Sequence, residues 1–115
     1  GNQGNLTVQL AGAVIIQSVT IDHLPGRNSP SRKSAPRRFE VYGVDAAMGS
    51  ERLLVKALFN GTAGAPYAQN FPILDQAHIL SDKPFDRVRL RILSNHGHPE
   101  YTCLYRFRVH GVPLP

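Results

Sequence analysis

The chain of 115 residues contains no tryptophan, one cysteine and one methionine, and these shortages already narrow what it can be. Cys103 has no second cysteine in the chain to pair with, so no disulfide framework holds this domain together. No apolar run approaches the roughly 20 residues that a spanning helix needs, and no charged-then-apolar leader opens the sequence. The chain as given is therefore expected to be soluble. It has no glycine-rich phosphate loop and no G-x-S-x-G elbow, the motifs that would announce a nucleotide-binding protein or a serine hydrolase. Acidic residues are also few: 13 Lys and Arg against 8 Asp and Glu give a formal charge of +5.

Much of that excess sits in Arg27, Arg32, Lys33, Arg37 and Arg38, a stretch without an acid. A basic loop can meet phosphate, nucleic acid or an anionic partner. This one has no interleaved aromatics for base stacking, and Gly26, Ser29, Pro30 and Ser31 mark it as a solvated loop, which argues against nucleic acid. Two sequons, Asn5-Leu6-Thr7 and Asn60-Gly61-Thr62, are compatible with a lumenal or extracellular address. Residues 1–115 are the right length for a single domain. The opening Gly1-Asn2-Gln3-Gly4, without methionine, suggests a fragment whose anchor or targeting signal lies upstream.

Hydrophobic periodicity predicts strands nearly throughout. Leu6, Val8 and Leu10 alternate with polar residues, and the stretch from Val14 to Ile21 is rich in β-branched side chains. Phe39, Val41 and Gly43 keep the same two-residue rhythm. Leu53 to Phe59 suits a strand between turns, although Leu54, Ala57 and Leu58 would also fit a short helix. Val88, Leu90 and Ile92 alternate with arginines, and Tyr101, Cys103, Tyr105, Phe107 and Val109 form the apolar row of a last strand. Short strands, ten glycines, nine prolines and no long helical pattern predict an all-β fold, an antiparallel β-sandwich of jelly-roll type.

Catalytic and metal chemistry find little support. His96, His98 and Glu100 alternate like the start of a cupin metal site, but cupins place the glutamate further on, and Gly97 and Pro99 make this segment a turn. A structural turn in which His98 bonds backbone is the better reading, with no metal and no cofactor expected. Cys103, in the apolar row of a strand, reads as a packed or disulfide-bonded cysteine rather than a nucleophile. The chain is not expected to be an enzyme.

The run from Asn95 to Gly111 carries a more specific signal. Gly97-His98-Pro99-Glu100-Tyr101-Thr102-Cys103-Leu104-Tyr105-Arg106-Phe107-Arg108-Val109-His110-Gly111 closely resembles the closing signature of SUN domains, which reads GHPEYTC, an aliphatic residue, then YRFRVHG. Two further stretches agree. Thr20-Ile21-Asp22-His23-Leu24-Pro25, followed by a polar loop and Ser34-Ala35-Pro36, matches the family's histidine-proline and SAP pattern, and Arg89 to Asn95 is the third. The segment from about Asp45 to Pro84 diverges, and His96 stands where the family commonly has tryptophan.

That resemblance implies a galactose-binding-like sandwich and a function that residue patterns do not supply. SUN proteins sit in the inner nuclear membrane, trimerise, and bind the C-terminal tails of KASH proteins in the perinuclear space, forming the LINC bridge. Carried over by position, the groups that meet the KASH carboxylate are His23, Ser34 and Tyr105, with Arg32 and Lys33 available for electrostatic steering. From the residues alone, His23 and Ser34 read as ordinary loop residues and Tyr105 as a core aromatic. The resemblance further implies that Cys103 pairs with a cysteine upstream of this chain. The family's coiled coil, β-hairpin lid, membrane anchor and most of its cation loop would also lie upstream. The alternative is a carbohydrate-binding module of the same general fold, against which stands the lack of tryptophan for sugar stacking.

Overall fold

The computed structural model describes residues 3–23, 36–45, 49–62, 64–73, 83–96 and 106–114. Within them lie six strands: β1 (Gly4–Asp22), β2 (Arg38–Val44), β3 (Glu51–Leu58), β4 (Ala68–Pro72), β5 (Phe85–Ile92) and β6 (Arg106–Pro113). Every pairing is antiparallel, in the order β3-β2-β5-β1-β4 with β6 also on β1. The expected all-β sandwich is the one observed. No helix among the described residues is long and apolar enough to cross a membrane.

The organising element is β1, 19 residues long. Its first part, Gly4 to Gln9, pairs with β5, while Ser18 to Asp22 lies between β4 on one edge and β6 on the other. Val14 is paired with both Phe85 and Pro113, which fixes β5 and β6 on opposite edges. One strand thus serves two sheets. The alternation of Leu6, Val8 and Leu10 and the β-branched stretch from Val14 to Ile21 are separated by Ala11-Gly12-Ala13. The backbone instead continues through register irregularities between Gln9 and Val14 and between Ile16 and Ser18. Such irregularities bend and twist a strand, so β1 leaves one sheet and enters the other without a loop.

Burial follows the bend. Gly4 to Thr7 are exposed, whereas Ile16, Val19 and Ile21 are fully buried. They pack with Phe39, Val41, Leu54, Val55, Phe85, Val88 and Leu90 in one apolar core. Phe39 of β2 meets half-buried Phe71 of β4 edge to face, with centroids 4.9 Å apart, and so ties the two sheets together. In β3, Leu54 is the additional residue of a bulge, since Val41 pairs with Val55 and Tyr42 with Leu53. Two successive residues, Leu54 and Val55, are therefore buried, whereas Leu58, which a helix would place beside Leu54, is exposed. The strand β4, Ala-Gln-Asn-Phe-Pro, has too little β-branched character to be foreseen.

The outer faces are laced by polar groups. On the β2–β5 side, the guanidinium of Arg89 lies 4.7 Å over the ring of Tyr42, pairs with Glu51 and donates to Asn5 Oδ1 at 3.0 Å. Tyr42 in turn donates to Glu40 at 2.8 Å. The arginines alternating through β5 thus lie on a solvated face held by facing acids and amides.

Where β6 crosses the second irregularity, Gly111 is required. A Cβ there would press on the Ile15 carbonyl and come within 2.8 Å of Val14 Cγ1, whereas one at Gly12 would meet nothing within 4 Å. Gly111→Ala should lower the melting temperature clearly, by the equivalent of about 1–3 kcal/mol, while Gly12→Ala leaves it nearly unchanged. Thermal unfolding of the two variants checks this.

Candidate peptide-binding site

One end of the sandwich collects the segments that flank the motif residues. Ile21 near the end of β1 pairs with Gln69 of β4. The Gln69 side chain then grips the turn after β3, accepting from Asn60 N–H at 2.8 Å and donating to the Asn60 and Pro66 carbonyls at 2.7 and 2.9 Å. One residue earlier, Phe59 N–H donates to the carbonyl of Arg37 at 2.8 Å, just before β2 begins. Pro36 forms an isolated bridge with Asn95 beyond β5, and Arg37 N–H donates to Ser94 O at 2.7 Å. His96 donates from Nε2 to Phe59 O at 2.7 Å. The exit of β1 is thereby linked to the turn after β3 through the Gln69 side chain, and backbone bonds join the entry of β2 to that turn and to the exit of β5.

His23 closes β1 here, with its N–H donating to Tyr67 O at 2.9 Å. It is 2% exposed, so the imidazole is part of the packed interior rather than a loop side chain. An anion reaching it would be stripped of water, a setting in which a hydrogen-bond donor acts strongly.

Beside His23 lies a buried ion cluster. Asp22 is 4% exposed, and its two oxygens accept from Arg106 Nε at 2.7 Å and Arg108 Nη2 at 3.0 Å. Burial pushes the Asp22 carboxyl up, but the hydrogen bonds and charges of Arg106 and Arg108 outweigh it and hold the group below its ordinary value. The arrangement follows from register, since Asp22 faces Arg106 and Thr20 faces Arg108. The same row continues with Thr20 Oγ1 2.7 Å from His110 Nε2 and with Asn70 Nδ2 donating to Thr20 at 3.0 Å. A polar strip across β6, β1 and β4 therefore locks the second sheet from outside, while Phe107 and Val109 turn to the core.

Of the residues singled out in the sequence, His23 is placed at this end. Ser34, Tyr105, Cys103, Arg32 and Lys33 lie outside the described residues, as do His98 and Glu100. Alternation along β6 puts Arg106 and Arg108 on the face opposite Phe107 and Val109, but no sequence pattern marks Asp22 as their partner. Opposite charges 84 and 86 residues apart give no local signal; only the strand register brings them together. A cavity of about 500 Å³ among the described residues is elsewhere, where the β1 irregularity at Leu10 to Ala13 faces Asp45, Lys83 and Asp86. Among the described residues no three His, Cys, Asp or Glu side chains cluster as metal ligands.

The comparisons with known proteins can be set against this geometry. The family model described as Sad1 / UNC-like C-terminal matches residues 1–113. The chain belongs to that family. It is 41% identical over 116 residues to SUN domain-containing protein 3 of Mus musculus, covering 98% of this chain and 34% of the mouse protein. It is 40% identical over 119 residues to the Klaroid protein of Drosophila melanogaster, covering 98% of this chain and 12% of that protein. The Sad1/UNC-like chain thus spans about a third or less of these relatives' length. Among solved structures, the family 32 carbohydrate-binding module of Streptococcus pneumoniae EndoD superposes with a TM-score of 0.68 at 17% identity, covering 96% of this chain and 70% of that one. A putative chitobiase fragment from Bacteroides thetaiotaomicron gives 0.74 at 9% identity, covering 98% and 63%. These likenesses establish the galactose-binding-like jelly-roll fold.

Removing either side of the Asp22 cluster should have unequal effects. Arg106 and Arg108 have side chains 56% and 38% exposed, so in Asp22→Asn they turn to water at a cost of about 1–2 kcal/mol. The double variant Arg106→Ala/Arg108→Ala strands a buried carboxylate and should cost more, about 3 kcal/mol. Because folding lowers the Asp22 value, its contribution is complete above the unfolded value of about 3.9 and is lost as pH falls through the folded one. Asp22→Asn should therefore flatten the stability profile below about pH 4, as denaturant unfolding across pH will register.

Proposed function

We propose that this domain is a non-enzymatic peptide-binding module that captures the C-terminal carboxylate of KASH-protein tails in the perinuclear space. In this reading it is the lumenal part of an inner nuclear membrane protein, trimeric at full length and anchored through upstream segments, and it helps bridge the two membranes of the nuclear envelope. The observation that carries the proposal is the convergence at one end of the sandwich. His23 ends β1 there, and Pro36, two residues from Ser34 in the chain, is bridged to Asn95. Arg106, which follows Tyr105 directly, is clamped to Asp22, the neighbour of His23. Ser34 and Tyr105 thus adjoin anchored residues in the sequence.

Charge supports the same reading. Asp22 neutralises one of the two guanidinium groups at the start of β6 and leaves a net positive charge beside a buried imidazole. A chain-terminal carboxylate is the anion of matching size and sign, and Arg32 and Lys33 add steering charge. Sharing a fold with carbohydrate-binding modules does not transfer their ligand, and with no tryptophan the chain lacks the ring such sites most often stack on a sugar.

The test uses the domain extended upstream and a proline-rich peptide with a free C-terminus. Amidating the terminus should weaken binding by about 2 kcal/mol, roughly thirtyfold. Tyr105→Phe should weaken it at least tenfold with little change in melting temperature, because the ring volume is kept. Equal affinity for acid and amide would remove the carboxylate pocket from the account. Selective binding on a glycan array would favour the sugar reading instead.

A further inference from the structure

The turn that follows β3 presents an asparagine suited to covalent modification. Asn60-Gly61-Thr62 has the acceptor pattern for N-linked glycans, and Asn60 and Thr62 are both exposed. Asn60 Oδ1 accepts two hydrogen bonds from Thr62, from its N–H at 3.1 Å and from its hydroxyl at 2.7 Å. The N–H and the hydroxyl of the third sequon position are thus both bound to the first. Among the described residues nothing accepts a hydrogen bond from Asn60 Nδ2, the atom that would be substituted.

The turn is also firmly mounted. Gln69 holds the Asn60 backbone from one side, and His96 bonds Phe59 O from the other. A Cβ on Gly61 would stand 2.7 Å from the His96 ring, so a residue without a side chain lets the turn close. A depression of about 310 Å³ lined by Arg37, Leu58 and His96 adjoins Asn60 and leaves room for a first sugar. The other sequon differs: Asn5 lies within β1, paired with Arg91, and its Oδ1 is taken by Arg89 at 3.0 Å.

We infer that Asn60 is an N-glycosylation site of this domain, an inference that rests on the lumenal reading above. In the reaction, Asn60 Nδ2 attacks the anomeric carbon of a lipid-linked oligosaccharide pyrophosphate. The N–C bond forms, the anomeric C–O bond breaks, the lipid pyrophosphate leaves with that electron pair, and the amide loses one proton to base.

The experiment uses the full-length protein in sealed membranes from its own cells. Protease protection reports the side on which the domain lies. Peptide N-glycosidase in heavy-oxygen water then removes any glycan and converts its asparagine to a heavy-oxygen-labelled aspartate, which mass spectrometry locates. A protected domain, labelled at position 60, with the gel shift lost in both Asn60→Gln and Thr62→Ala, is the expected result. A protected domain without label at 60 overturns the Asn60 assignment while leaving the lumenal reading standing. A domain digested from the cytosolic side overturns both.

Discussion

A carboxylate buried to the degree of Asp22 is costly unless its charge is matched and its oxygens are hydrogen-bonded, and Asp22 satisfies both conditions by drawing two arginines from one strand. That requirement fixes more than a charge pair. Arg106 and Arg108 reach the carboxylate only when β6 stands in its observed register, and a slip of one residue would turn Phe107 and Val109 outward. The ion cluster on the outer face and the apolar row on the inner face therefore select the same register. The entry of β6 is set against the end of β1 as a consequence.

The second constraint is that β1 serves two sheets. Because its first part lies on β5 and its last between β4 and β6, the bend at the irregularities sets how one sheet covers the other. Phe39 against Phe71 then closes the sandwich at the end where His23, Pro36 and Asn95 gather. The site is thus a product of topology: residues scattered from positions 22 to 108 meet because one strand changes sheets.

Much of this was legible in the sequence. Two-residue alternation with β-branched side chains indicated strands at β1, β2, β5 and β6, because that periodicity is the direct imprint of a half-buried sheet. The closing motif gave the family. What escaped was of two kinds. Irregularities hide the period, as at Leu54, where an additional residue buries two successive side chains, and at Ala11-Gly12-Ala13, where alternation lapses although the strand continues. Pairings that depend on register also hide, as with Asp22, whose partners lie more than eighty residues away. Histidine at position 96 departs from the usual tryptophan, yet the turn is packed all the same by its bond to Phe59 O and its contact with Gly61.

The central claim is that the Asp22 cluster holds the start of β6 against β1. Native-state amide hydrogen exchange on Asp22→Asn tests it directly, since local opening is read residue by residue. The account predicts lost protection at Phe107 and Arg108, near the start of β6, with Val41, Val88 and Leu90 in the other sheet protected as before. Protection falling evenly through both sheets, or not at all, would contradict it.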